Sequence, residues 1–272
     1  LTTSSLARLR AAAPATFAVY VCQTLLALAP AWPLARAVER SLATHPLSSG
    51  ALDAPGGLWR LETLAALSDT AAPLADVTLI AMLLTLAVAP LLQMTWLAAL
   101  LRRMPLREAL ALGARRYAAA VGVSVALFPV LLVALGALAL VPAMLSRLVT
   151  QTPSDRTHDL VVLGGLVPGL VLLAVWGLWH DLARASLARS GRPLSALLRS
   201  AQACLPPRAL LSYLGWLAVG AVFALATQLL AHWLDGRGSL AAFATLVITQ
   251  ALSLARIFVR ARWLATALDR VR

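Results

Sequence analysis

His180 and Asp181 are the adjacent residues of this chain best suited to chemistry. An imidazole beside a carboxylate can pass a proton, and Arg184, one helical turn on, can hold an anionic group such as a lipid headgroup. The same residues also suit a structural ion pair. Asp181 can meet Arg184 at i+3, or Arg256 or Arg260 from a segment far along the chain. The structural reading is the favoured one, because these residues fall at the end of an apolar run rather than deep inside it. His158, Asp159, His232 and Asp235 carry two imidazoles and two carboxylates that could hold zinc. Their spacing matches no recognised site, so they are read as solvated span-end residues, and no metal or cofactor is expected. Gln93, Gln228 and Gln250 lie inside or near apolar runs, where uncharged amides usually bridge helices and less often line a substrate path.

These residues are positioned by six apolar stretches, at about 14–33, 77–101, 118–145, 160–178, 210–234 and 240–258, in a chain of 272 residues that is 61% hydrophobic and 12% charged. A spanning helix needs roughly 20 mostly apolar residues. Backbone groups in hydrocarbon must be satisfied within the segment, and Ala/Leu-rich runs of this length do so as helices. No period-two alternation occurs, which argues against a β-barrel. The fold expected is an all-α polytopic bundle in one integral membrane domain. The mean hydropathy of +0.84 agrees. The first stretch follows basic residues, as a signal peptide does, but its apolar run is too long for one, so it is read as an uncleaved first span.

The 23 basic residues are all arginine, and the net charge is +12. Lysine is absent, and the Ala/Leu/Arg/Pro bias suggests a bacterial genome rich in GC. With the N-terminus inside, seventeen arginines fall on inner segments and six on outer ones, while most acidic residues fall outside. Positive residues mark the cytoplasmic side, so both termini are placed in the cytoplasm of a bacterial inner membrane. The arginines flank apolar runs instead of forming a stripe with aromatics, so nucleic acid is not an expected partner. Anionic lipid headgroups at the inner face are, together with other membrane proteins. The outer connector 34–76 is long, and Trp59–Leu67 within it has helical spacing. Cys22 and Cys204 are read as small hydrophobes.

Sliding the chain by 88 positions lays Pro105-Leu106 on Pro193-Leu194. In both copies an apolar span leads into a basic turn, then Pro-Leu, then a short amphipathic segment, then the next span. Leu106, Ala109, Leu110 and Gly113 share one helical face, as do Leu194, Leu197, Leu198 and Ala201. Two cytoplasmic elbow helices, 105–117 and 193–205, are therefore expected, with proline opening each. The basic ends of the chain could supply a third, split copy. Pro90, Pro129, Pro142 and Pro168 interrupt spans, as in transporters with broken helices, although proline is also tolerated in membrane helices.

The D-x-A-R segment Asp181–Arg184, followed by Leu187, Arg192, Leu194 and Ala196-Leu197, together with 90–113 and 252–262, resembles a broad class of bacterial six-span proteins. That class is distantly similar to the membrane domain attached to some glycerophosphodiester phosphodiesterases. The resemblance implies a six-helix fold without an established chemistry. The soluble phosphodiesterase domain has no counterpart in the sequence, so hydrolase activity does not carry over. P-loop, GxSxG and HExxH signatures are absent as well. The function expected is that of a non-enzymatic structural or accessory subunit. A small permease component comes second, and a lipid-modifying enzyme using His180 and Asp181 third.

Overall fold

The computed structural model describes residues 8–43, 71–149, 155–234 and 239–271. Eight helices carry them: α1 (Ala13–Ala43), α2 (Ala71–Arg102), α3 (Leu106–Arg115), α4 (Tyr117–Val149), α5 (Asp155–Ser190), α6 (Pro193–Cys204), α7 (Pro207–Leu234) and α8 (Ser239–Arg270). No strand occurs among the described residues. Five segments are long and apolar enough to cross a membrane: Asp76–Arg102, Tyr117–Arg147, Leu160–Ser190, Pro207–Leu230 and Phe243–Arg270. This is the architecture of a multi-pass membrane protein. Six spans were expected; α1 contributes a shorter apolar stretch, Ala13–Ala29. The expected outer connector is partly helical, since α1 runs to Ala43 and α2 begins at Ala71. The surface helix expected at 59–67 lies outside the described residues.

Helices outrun the apolar stretches at their arginine-rich ends. The span expected at 160–178 continues as helix to Ser190, and that at 240–258 continues to Arg270. A change from apolar to charged residues ends a hydropathy signal but not a helix, because Ala, Leu and Arg are all strong helix formers. Pro90, Pro129, Pro142 and Pro168 all sit inside continuous helices, so none produces the broken helix of a transporter.

Two compact units divide the chain. One holds Ala18–Pro90, and the other holds the preceding residues together with Leu91–Arg272. In the first, most described side chains of α1 and α2 are exposed, including Leu25, Trp32, Ile80 and Leu84. Apolar surface of this kind is satisfied by lipid, not water.

In the second unit α4 and α5 pair closely. A Cβ placed at Gly169 would come within 2.5 Å of Leu138 Cα, and one at Gly165 within 3.2 Å of Pro142 Cα. Lipid supplies no hydrophobic force between helices, so close backbone approach over small residues does the packing. The buried core gathers at the arginine-rich helix ends instead. Met94 and Leu97 from α2, Leu182 and Leu187 from α5, and Trp263 and Leu268 from α8 are each under 2% exposed.

The two elbows form as expected, and their entry turns share one backbone device. Arg103 (φ 52°) and Gly191 (φ 69°) both adopt the left-handed region. Each donates its N–H to the carbonyl four residues back, Ala99 and Leu187 respectively, at 2.9 Å. That bond closes the preceding helix with an αL cap. The elbow faces differ from expectation. Leu106 and Leu110 are exposed, as are Leu194 and Leu198, while the buried positions are Ala109 and Gly113 in α3 and Ala196 and Ser200 in α6. In each elbow the buried pair lies four and eight residues past the N-cap, Pro105 in one and Arg192 in the other. The second elbow thus starts one residue earlier relative to its turn, so its buried face is one position off the sequence register. Small residues face protein because backbones must approach there: a Cβ added to Gly113 would meet Thr95 Oγ1 at 2.5 Å. The leucines face outward.

Candidate functional site

Asp181 lies on α5 where the apolar span gives way to the buried core, and it is 2% exposed. A carboxylate so enclosed needs its oxygens engaged. Arg260 Nη2 on α8 donates to Oδ1 at 2.5 Å, and Trp263 Nε1, one turn further along α8, donates to Oδ2 at 2.7 Å. Of the arginines within reach by sequence, Arg260 takes the carboxylate. Tyr213 on α7 packs beside the pair, its ring 5.1 Å from that of Trp263. Gly177 makes room for the Tyr213 hydroxyl: a Cβ there would sit 2.3 Å from it. The carboxylate thereby ties α5 to α8, with α7 packed against the same centre.

Arg184 forms no ion pair with Asp181 among the described residues. Its Nη2 donates to Ser124 Oγ on α4 at 2.8 Å, and Ser124 in turn donates to the Ala120 carbonyl at 2.9 Å. Arg184 Nε and Nη1, and Ser186 Oγ, are buried with no partner among the described residues. His180 stacks on Trp176, one turn back, with ring centroids 5.1 Å apart. No hydrogen bond joins it to Asp181 among the described residues.

Around this centre, side chains tie the helix ends. Arg116 Nη1 donates to the Leu187 carbonyl at 2.9 Å, which also accepts from the Gly191 N–H, and to that of Ala188, so it adds a side-chain donor at the end of α5. Burial pushes the Arg116 pKa down, and neighbouring Arg102 adds to the shift. Arg189 Nε donates to the Leu268 carbonyl at 3.0 Å, and Arg8 pairs with Asp269 at 2.8 Å. Trp179 Nε1 reaches Ser200 Oγ on α6 at 3.0 Å, and Trp96 Nε1 reaches Thr16 Oγ1 at 2.9 Å.

Beside the buried centre a groove of about 540 Å3 opens between α7 and α8, lined by Tyr213, Trp216, Gly220, Arg256, Arg260 and Trp263 among others. Arg260 thus spans the two environments, with its side chain 36% exposed while that of Asp181 is 3%. Arg256 is exposed and has no ion-pair or hydrogen-bond partner among the described residues. An arginine at the centre of a spanning helix costs about 2.5–3.5 kcal/mol on insertion scales. None of Gln93, Gln228 and Gln250 lines this groove; Gln93 is half-buried on α2, while Gln228 and Gln250 are exposed on α7 and α8.

Comparison with protein-family models, with curated proteins and with solved structures finds no match to this chain. The site is therefore read from its own geometry. His158, Asp159 and His232 fall within α5 and α7, but their side chains, like all of Asp235, lie outside the described residues. No cluster of three potential metal ligands occurs among the described residues. Three members of the centre escape a reading of charge alone: Trp263, Tyr213 and Ser124. The spacing of Arg260 and Trp263 at i and i+3 puts them on one helix face, which was the available signal for Trp263.

Proposed function

We propose that this chain is a non-enzymatic, structural or accessory subunit of the bacterial inner membrane, facing lipid and packed against other membrane proteins. The observation that supports this most is the Asp181 carboxylate. Both oxygens are engaged, by Arg260 and by Trp263, and the group is buried. A group so committed serves as a lock between helices, and proton or phosphoryl chemistry would need a free oxygen that a substrate can reach. Turnover of a transported or modified lipid by the purified protein in vesicles, abolished in Asp181→Asn without loss of thermal stability, contradicts this reading.

The proposal includes six spans, with α1 as the first, and both termini in the cytoplasm. The arginine distribution supports that orientation. It also includes an internal repeat of span, elbow and span, supported by the shared left-handed turn at Arg103 and Gly191. The Arg8–Asp269 pair between the two basic ends supports a third, split copy. Kinship with the phosphodiesterase-linked membrane domain belongs to the same proposal and rests on the motif around Asp181–Arg184. For topology, a cysteine placed at Ser49 is expected to react with an impermeant reagent in osmotically opened periplasm. Labelling only after the cytoplasmic face is exposed contradicts the orientation.

A further inference from the structure

We infer that the α7–α8 groove is a lateral binding site for the anionic headgroup of a membrane lipid, with Arg256 as its principal contact. The inference rests on the membrane reading above and adds a ligand to it.

Arg256 lies seventeen residues, about 26 Å, along α8 from Ser239. A hydrocarbon core of about 30 Å then leaves the arginine within about 5 Å of the boundary on the arginine-rich side. Its Nε is 3.9 Å from the position a Cβ would take at Gly220, so the guanidinium lies over a position of α7 with no side chain. Asp181 is already held by Arg260 and Trp263 and offers Arg256 nothing. A cation near the hydrocarbon boundary with no partner among the described residues is matched by an anionic headgroup from the membrane.

The walls fit an amphiphile. Trp216, Tyr213 and Trp263 supply aromatic surface, and Arg262 lies over the Trp216 ring at 5.2 Å, adding a second cation at the rim. The hollow itself runs from Tyr213 to Ala221, about 12 Å or two turns of α7. That length suits a headgroup with its first methylenes, whereas a partner helix would need contact along most of a span.

The test is native mass spectrometry of the delipidated protein in mild detergent, titrated separately with phosphatidylglycerol and phosphatidylcholine. The expected result is at least tenfold tighter binding of phosphatidylglycerol. That preference is expected to disappear in Arg256→Gln and in Gly220→Phe, which fills the hollow, and to survive in Arg256→Lys. Arg256 takes part in no described ion pair, so Arg256→Gln is expected to keep or raise the melting temperature, which separates lost binding from lost folding. Equal binding of the two lipids, an undiminished preference in Arg256→Gln, or a polypeptide crosslinked at Gly220 in place of lipid overturns the inference. None of these outcomes touches the structural reading of Asp181, which is decided by stability alone.

Discussion

Arg103 and Gly191 hold the same left-handed backbone conformation, each two residues ahead of the proline that opens an elbow helix. Glycine adopts that conformation freely, while for a residue with a Cβ it costs roughly 1–2 kcal/mol. The second turn has the better residue for the geometry and the first the worse one. The elbow faces explain why both turns are needed: each must drop the chain out of a long helix and bring a pair of small residues back against it.

This relationship makes a paired prediction. Arg103→Gly is expected to stabilise the protein by about 1 kcal/mol, and Gly191→Ala to destabilise it by about 1–2 kcal/mol. A Cβ at Gly191 would meet nothing nearer than Arg116 Nη2 at 3.7 Å, so the penalty there is one of backbone and not of packing. Thermal melts in one detergent, read side by side, check both signs. Equal effects of the same sign would show that the two turns are not equivalent.

A second prediction concerns Cys204 on α6. Burial pushes its thiol pKa up to about 11 from the ordinary value of 9.0. The thiolate is the reacting species, so at pH 8 alkylation is expected to run about a hundredfold slower than for an unhindered thiol. In a Cys22→Ser background, the rate should climb through pH 10–11 without levelling at pH 9. Rapid labelling at pH 8 would mean that α6 stands clear of the bundle and leaves this thiol in water.

Much of the architecture is legible in the chain, and its limits have physical causes. Pro105-Leu106 and Pro193-Leu194 mark the elbows because proline fixes the first helical turn. The direction of their faces is not legible in the same way. In water Leu106 and Leu110 would turn inward, but beside a bilayer the leucines can face lipid while Ala109 and Gly113 take the protein side. The apolar runs end at Leu178 and Phe258 but the helices do not, because a hydropathy drop marks the end of an apolar run and both helices carry on into a buried core. Asp181 could be recognised as a group in need of a cation, yet its choice of Arg260 over Arg184 depends on how α8 lies against α5, which spacing along one helix does not encode. Arg256 suits Asp181 by residue type as well, yet it lines the groove beside Arg260 and makes no bond to the carboxylate.

The most direct measurement is a double-mutant cycle on Asp181 and Arg260, read as thermal stability in detergent. Asp181→Asn keeps an acceptor for the Trp263 N–H while removing the charge that answers Arg260. Breaking a buried pair from one side strands the other charge and costs roughly 3–5 kcal/mol. Asp181→Asn and Arg260→Met are each expected to lose stability on that scale. The double variant is expected to lose little more than either single change, giving a coupling of several kcal/mol. Additive losses, with the double variant falling by the sum of the two singles, would show that the pair does not lock α5 to α8 and would contradict the account.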